Sequence, residues 1–280
     1  MLKIERIFIL FFMVGTLTAC SEYQKVLNKG KAEDRYKMAT ELFEQKKYSK
    51  SIALFEKVIP TYERKPQMQR IMYMVAESHY YSKDYDLSAY YFNRFISNYP
   101  NSSKIEEAAY LVAHSYYLAS PKYTRDQKDT EKALISFQEY IDKYPSSERL
   151  EAANKFYDEL TYRLEKKSFE IARQYYHIED YNAAVAAFEN FLQEHIGSNL
   201  KEDALYYKFK ASNDLAINSV FEKKEKRLKD AITVHDKFMK SFPKSEKVKE
   251  VASLHKNLNK ELKETKELIE KYTNSIKDGL

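Results

Sequence analysis

Tyr85-Asp-Leu-Ser-Ala-Tyr-Tyr-Phe-Asn-Arg-Phe-Ile-Ser-Asn-Tyr-Pro100 decides the fold, because its pattern occurs five times. Aligned on Phe92, the other anchors are Phe55, Phe137, Phe188 and His235. Four residues earlier stands a small side chain: Ser51, Ser88, Ala133, Ala184 or Ala231. Three earlier stands Ile52, Ala89, Leu134, Val185 or Ile232, and three later Val58, Phe95, Tyr140, Phe191 or Phe238. These offsets put all four positions on one face of a helix. Pro100, Pro145 and Pro243 follow at eight residues and stop that helix; Pro60 is expected to close the copy that starts near Tyr48.

A second pattern precedes each anchor. Tyr36, Ala39 and Phe43 serve the first copy, Tyr73, Ala76 and Tyr80 the second, and Phe169, Ala172 and Tyr176 the fourth. Tyr110, Ala113 and Tyr117 serve the third and Ala211 with Leu215 the fifth, each set further from its anchor. Each unit is therefore a helical hairpin whose two helices approach through small residues. The arrangement resembles the tetratricopeptide repeat, with small residues in both helices, an aromatic in the second and a closing proline. The expected fold is all-α, a tetratricopeptide-like superhelix of about five irregular repeats plus a C-terminal capping helix. One hairpin cannot bury its apolar face alone, so stacked hairpins share a core and offer a groove. Four glycines and six prolines in 280 residues disfavour a turn-rich β protein. A net charge of +5, interspersed, gives no reason to expect nucleic acid as a partner.

The N-terminus reads as an address. Lys3 and Arg6 precede the apolar run Ile7 to Leu17, too short to span a bilayer and fitting a signal peptide. Leu17-Thr18-Ala19-Cys20 then resembles the bacterial lipobox, which implies cleavage after residue 19 and diacylglycerol plus an N-acyl chain on Cys20. Two or three such chains anchor stably, at ~0.8 kcal/mol per buried CH₂. Cys20 is the only cysteine, so no intramolecular disulfide is possible. By the sorting rule of well-known Gram-negative lipoproteins, Ser21 is compatible with the outer membrane.

The organisation expected is a signal peptide (1–19), a lipidated tether (20–33), repeats one to three (34–146) and a C-terminal part (147–280). The last opens on one long helix from Glu148 to His177, whose apolar side would be Leu150, Ala153, Tyr157, Leu160, Leu164, Ile171 and Tyr175. This shared helix is expected to fix the orientation of the two sub-arrays, with the module boundary near residue 147. Ser103 with Glu106 fits a capping box. Two insertions part their hairpins, Ser120 to Gln127 and the basic Phe221 to Leu228; each reads as solvated surface or as a contact. Gly197 is a C-cap candidate for the fourth repeat. Val248, Val251, Leu254, Leu258, Leu262, Thr265 and Ile269 line a final amphipathic helix.

Chemistry is scarce. None of the six histidines pairs with another at i, i+4 or sits in HExxH, so no metal is expected. His79, His114 and His177 lie in first helices as packed neutral imidazoles. There is no glycine-rich phosphate loop, and Cys20 is committed to lipid, so no cofactor or catalytic residue is nominated. What remains is a surface. The tetratricopeptide resemblance implies that Tyr36, Phe43, Tyr73, Tyr80, Tyr110, Tyr117, Phe169 and Tyr176 face the groove, as an aromatic ladder for an extended peptide or a partner's edge. The other reading packs these rings between consecutive repeats.

The layout as a whole, a lipobox, five irregular repeats and a long helix joining three to two, is similar to the BamD family of outer-membrane assembly lipoproteins. Leu164 to Tyr176 with Asp180 to Phe188 carries the most similar local stretch; Gly197 stands where that family usually has Tyr-Pro. The resemblance implies a lipid-anchored, periplasm-facing outer-membrane scaffold, not an enzyme. Its C-terminal repeats would hold the barrel subunit with repeated periplasmic domains, and its N-terminal repeats would receive unfolded outer-membrane proteins. The alternatives are a repeat lipoprotein coordinating cell-wall synthesis and a glycan-processing or glycan-binding lipoprotein.

Overall fold

The structure, a computed structural model, describes residues 22–278. Those residues are helical throughout, with no strand among them. A short helix over residues 22–29 precedes α1 (Ala32–Glu44), α2 (Tyr48–Tyr62), α3 (Gln67–Tyr81), α4 (Tyr85–Asn98), α5 (Ile105–Ala119) and α6 (Lys128–Lys143). The 28-residue α7 (Leu150–His177) leads to α8 (Tyr181–Glu194), α9 (Lys201–Ile217), α10 (Phe221–Ser241) and α11 (Val248–Asp278). The chain divides into two compact units between Leu160 and Thr161, inside α7 and not near residue 147. The reason is packing: Ala153 and Leu160 join the core of Phe137 and Tyr140, whereas Phe169 and Ala172 join that of Phe188 and Phe191.

Within each hairpin both small positions are buried as expected. Ala39, Ala76, Ala113, Ala172 and Ala211 are fully buried, and so are Ser51, Ser88, Ala133, Ala184 and Ala231. In the first hairpin the contact is visible atom by atom, since Ser51 Oγ donates to the Ala39 carbonyl at 2.7 Å. The anchors Phe55, Phe92, Phe137 and Phe188 are also fully buried, each worth about 1.5–3 kcal/mol of transfer free energy.

Helix ends depart from expectation in instructive ways. Pro60 lies inside α2, which runs on to Tyr62, so it does not close the first repeat. Tyr99, Tyr144 and Phe242, each before a proline, leave the helical region at φ −126° to −134° and ψ 57° to 59°. His195 adopts the same conformation before Ile196 (φ −119°, ψ 59°), so α8 ends without proline and without Gly197 in a left-handed cap. The hairpin turns of repeats one, two and four instead place Lys46, Lys83 and Glu179 at φ 59° to 64°. The insertions settle differently. Ser120 to Gln127 winds around buried Gln127, whose Nε2 donates to the carbonyls of Lys122 and Arg125 at 2.9 and 3.0 Å. Phe221 to Leu228 is simply the first two turns of α10, with Lys224 paired to Glu261 of α11 at 2.9 Å.

The tether is partly built into the fold. Tyr23, Val26 and Leu27 of helix 22–29 pack on the N-terminal core, and Arg35 Nε donates to the Val26 carbonyl at 3.2 Å. Gly30 makes the turn possible, because a Cβ there would lie 2.5 Å from the Val26 carbonyl oxygen. Further on, Ile171 and Tyr175 of α7 are exposed, so the packed side of that helix in the second unit is Phe169, Ala172 and Tyr176. Val251, Leu258 and Thr265 are the buried stripe of α11.

A repeated clasp closes four of the hairpins, and its signal is a serine ten residues after the anchor. Ser102, Ser147, Ser198 and Ser245 each accept a backbone N–H two residues on, at 3.1–3.2 Å. Each also bonds a side chain at the start of the repeat it ends: Gln69, Glu106, Glu165 and Glu202, at 2.6–2.7 Å. The helix after the second repeat is therefore prepared by Ser102, not by a Ser103 capping box, and its N-cap is Lys104. Ser198→Ala takes a donor from half-buried Glu165, so chemical denaturation should show a loss of about 1 kcal/mol. Lys83→Gly removes the left-handed penalty and should raise the unfolding free energy measured by denaturation, by roughly 0.5–1 kcal/mol.

Candidate functional site

The aromatic ladder does not form as one exposed surface. Tyr73 and Phe169 are buried, at 7% and 3% exposure, and the other six rings are half-buried. Tyr73 meets Phe92 and Phe95 edge-on at 5.5 and 5.2 Å, and Phe169 meets Phe188 and Phe191 at 5.8 and 5.9 Å. Tyr36 stacks on Tyr62, and Phe43 meets Tyr48 edge-on. Tyr110 packs on Tyr140 and Tyr117 on Phe156. The hydroxyls are used as links: Tyr80 to His114 Nδ1 at 2.7 Å, Tyr117 to Glu159 at 2.6 Å and Tyr176 to Asp214 at 3.0 Å. These rings serve mainly as joints within and between hairpins. Cys20 lies outside the described residues.

Of the eight, Phe43 and Tyr73 line an open cavity of about 450 Å³ in the first unit. Phe43, Met74 and Phe95 supply its apolar walls, and Glu44, Gln69, Arg70, Glu77 and Lys104 its polar ones. Its size suits a few side chains of a ligand, not a folded domain. Residue spacing alone pointed to Phe43 and Tyr73; the charged lining comes from the end of α1, from α3 and from the loop before α5, which no ladder pattern marks.

The electrostatics centre on two carboxylates. Burial first, then the neighbouring Glu107 charge, push the Glu77 carboxyl up to about 7, with Lys104 pulling the other way. Burial also raises Glu107, but hydrogen bonds from Lys104 and Tyr73 and the charges of Lys104 and Arg149 outweigh it, so Glu107 sits below the usual carboxylate range. Lys104 Nζ is 2.7 Å from Glu107 and 5.5 Å from the Tyr73 ring centroid. The Tyr73 hydroxyl is buried beside these acids without a hydrogen bond of good geometry, and burial with the two acids pushes its pKa far above the ordinary tyrosine value, so it stays protonated. The wall thus carries a carboxyl that lacks a close cation and a hydroxyl that lacks a firm partner.

The histidines expected to be packed divide. His79 is buried against Tyr91, and His114 lies between Tyr110 and Tyr117 with its pKa lowered by burial; His177 is exposed. Among the described residues, no helix is long and apolar enough to cross a membrane.

Because Glu77 is protonated in the folded chain up to about pH 7 but ionises near 4.5 when unfolded, its contribution to stability falls as pH rises between those values. Glu77→Gln should therefore raise the unfolding free energy at pH 8, by on the order of 1 kcal/mol in chemical denaturation, and change it little at pH 4.5.

A family model described as YfiO, outer membrane lipoprotein, matches residues 28–228. No curated protein matches the chain. Among solved structures, the TPR2AB domain of yeast Sti1 in complex with pHSP90 is similar at 12% identity and a TM-score of 0.38, over 81% of this chain and 98% of that one. A Podospora anserina protein with nearly identical TPR-like repeats is similar at 9% identity and a TM-score of 0.33, over 74% and 96%.

Proposed function

The chain belongs to the YfiO family of outer membrane lipoproteins, and from that premise we propose that it is a non-catalytic scaffold of the machinery that assembles β-barrel proteins. In this reading lipid on Cys20 holds it to the outer membrane, facing the periplasm. Its second unit binds the barrel subunit's repeated periplasmic domains. Its first unit receives unfolded outer-membrane proteins.

The observation that carries the reading is the family match across most of the repeats. The first-unit cavity supports its second half. An extended chain presents side chains on alternate faces and a row of backbone N–H groups. Phe43, Met74 and Phe95 suit an aromatic or aliphatic side chain, Glu77 suits an N–H donor, and Arg70 and Lys104 suit a carboxylate. Such contacts are tolerant of sequence, as a receiver of many substrates requires.

The test is affinity purification from gently solubilised membranes combined with a photocrosslinker placed at position 70. Stoichiometric recovery of a large barrel protein with repeated periplasmic domains is the expected result, with crosslinks from position 70 to unfolded outer-membrane chains. Glu77→Arg should cut those crosslinks several-fold and leave recovery of the barrel protein unchanged. Recovery of cell-wall enzymes or glycan transporters without the barrel protein would overturn the proposal. In the same preparations Cys20→Ser should move the protein out of the membrane fraction.

A further inference from the structure

Four repeats place phenylalanine at the anchor of the second helix, and the fifth places His235 there. His235 is 7% exposed, so a position that elsewhere takes hydrocarbon here buries an imidazole. That substitution is costly unless the ring nitrogens are used. They are met by a second unusual residue. His255 of α11 stacks on His235 of α10, with ring centroids 3.7 Å apart and planes inclined by 11°. Asp236, next in sequence, brings Oδ1 to 2.8 Å from His235 Nδ1. One donor atom from each of His235, Asp236 and His255 lies within 4.8 Å of the other two.

We propose that His235, Asp236 and His255 form a binding site for a divalent transition cation of the zinc type, fastening α10 to α11. The ligand chemistry fits, since two imidazoles and a carboxylate form a borderline donor set suited to zinc, with a fourth position left for water. The distances fit as well. Zn–N bonds of 2.0–2.1 Å at a tetrahedral angle put two nitrogens roughly 3.3 Å apart. The donor atoms already lie within 4.8 Å of one another, and because the two rings stack face to face, one imidazole turns out of the stack to aim both lone pairs at one ion. Asp236 is exposed and His255 half-buried, so an ion has a way in. No spacing rule within one helix marks the pair, because the two histidines come from different helices.

The full chain, purified in detergent and stripped with a chelator, is titrated with Zn²⁺ against a chromophoric competitor. One equivalent should bind per chain. His255→Gln should weaken binding a hundredfold, Asp236→Asn about tenfold, and His195→Gln, at a site remote from the three donors in sequence, not at all. Zn²⁺ should also raise the thermal midpoint of the natural chain and not that of His255→Gln. Asp236 is exposed, so Asp236→Asn retains the fold and keeps the test decisive if His255→Gln does not. Binding of less than a tenth of an equivalent by the natural chain would overturn the proposal. So would binding left unchanged by Asp236→Asn in the folded protein.

Discussion

The close approach of two helices through small residues is the constraint on which everything else in this chain depends. At each of the five hairpins a fully buried alanine on the first helix is matched by a fully buried serine or alanine on the second. A larger side chain at either position would force the helices apart, and packed interiors absorb such changes poorly. With that approach made, the anchor aromatic lies against the first helix, and the first helix of the next repeat covers what is left. The aromatics of the first helices are then held as joints. The cavity of the first unit lies where charged residues of α3 and the loop before α5 meet two of those rings.

The polar groups follow from the same geometry. Hairpins that pack this tightly leave little water between them, so buried hydroxyls and carboxyls must find each other. Ser51 finds the Ala39 carbonyl, and the serines that end the repeats find Gln69 or a glutamate. Glu77 and the Tyr73 hydroxyl depart from this in the first unit, and in the second the His235–His255 pair puts an imidazole where the other repeats place hydrocarbon. Both stand where the pattern of the fold does not ask for such residues.

Much of this was legible in the sequence, because helix period and small-residue spacing are local signals repeated five times. Hairpins, anchors and the buried stripe of α11 follow directly from them. The ends of elements were less legible. Pro60 stands in a helix that continues past it, and Gly197 is bypassed because His195 already turns the chain. The first-helix aromatics fitted both a groove-facing ladder and joints between repeats, because whether a ring faces a groove or a neighbour depends on the tilt between consecutive hairpins. That tilt is not encoded in the spacing of Tyr73 or Phe169. The clasp serines were visible at a constant offset from each anchor. They were overlooked because a serine near a proline is also what an ordinary loop contains. The histidine pair required knowing which helices touch.

The clasps also separate the two ends of each hairpin by how much change they accept. The partners are 33 residues apart in the second and fourth repeats, 41 in the third and 43 in the fifth. The closure is the same in all four, so the added length is absorbed wholly at the far end, where the two helices turn. Anyone wishing to splice a fluorescent reporter or an epitope into this scaffold therefore has a marked side to work from: the turn at Lys83 or the loop from Ser120 to Gln127 can grow, while the stretch from Pro100 to Lys104 is a fixed seam.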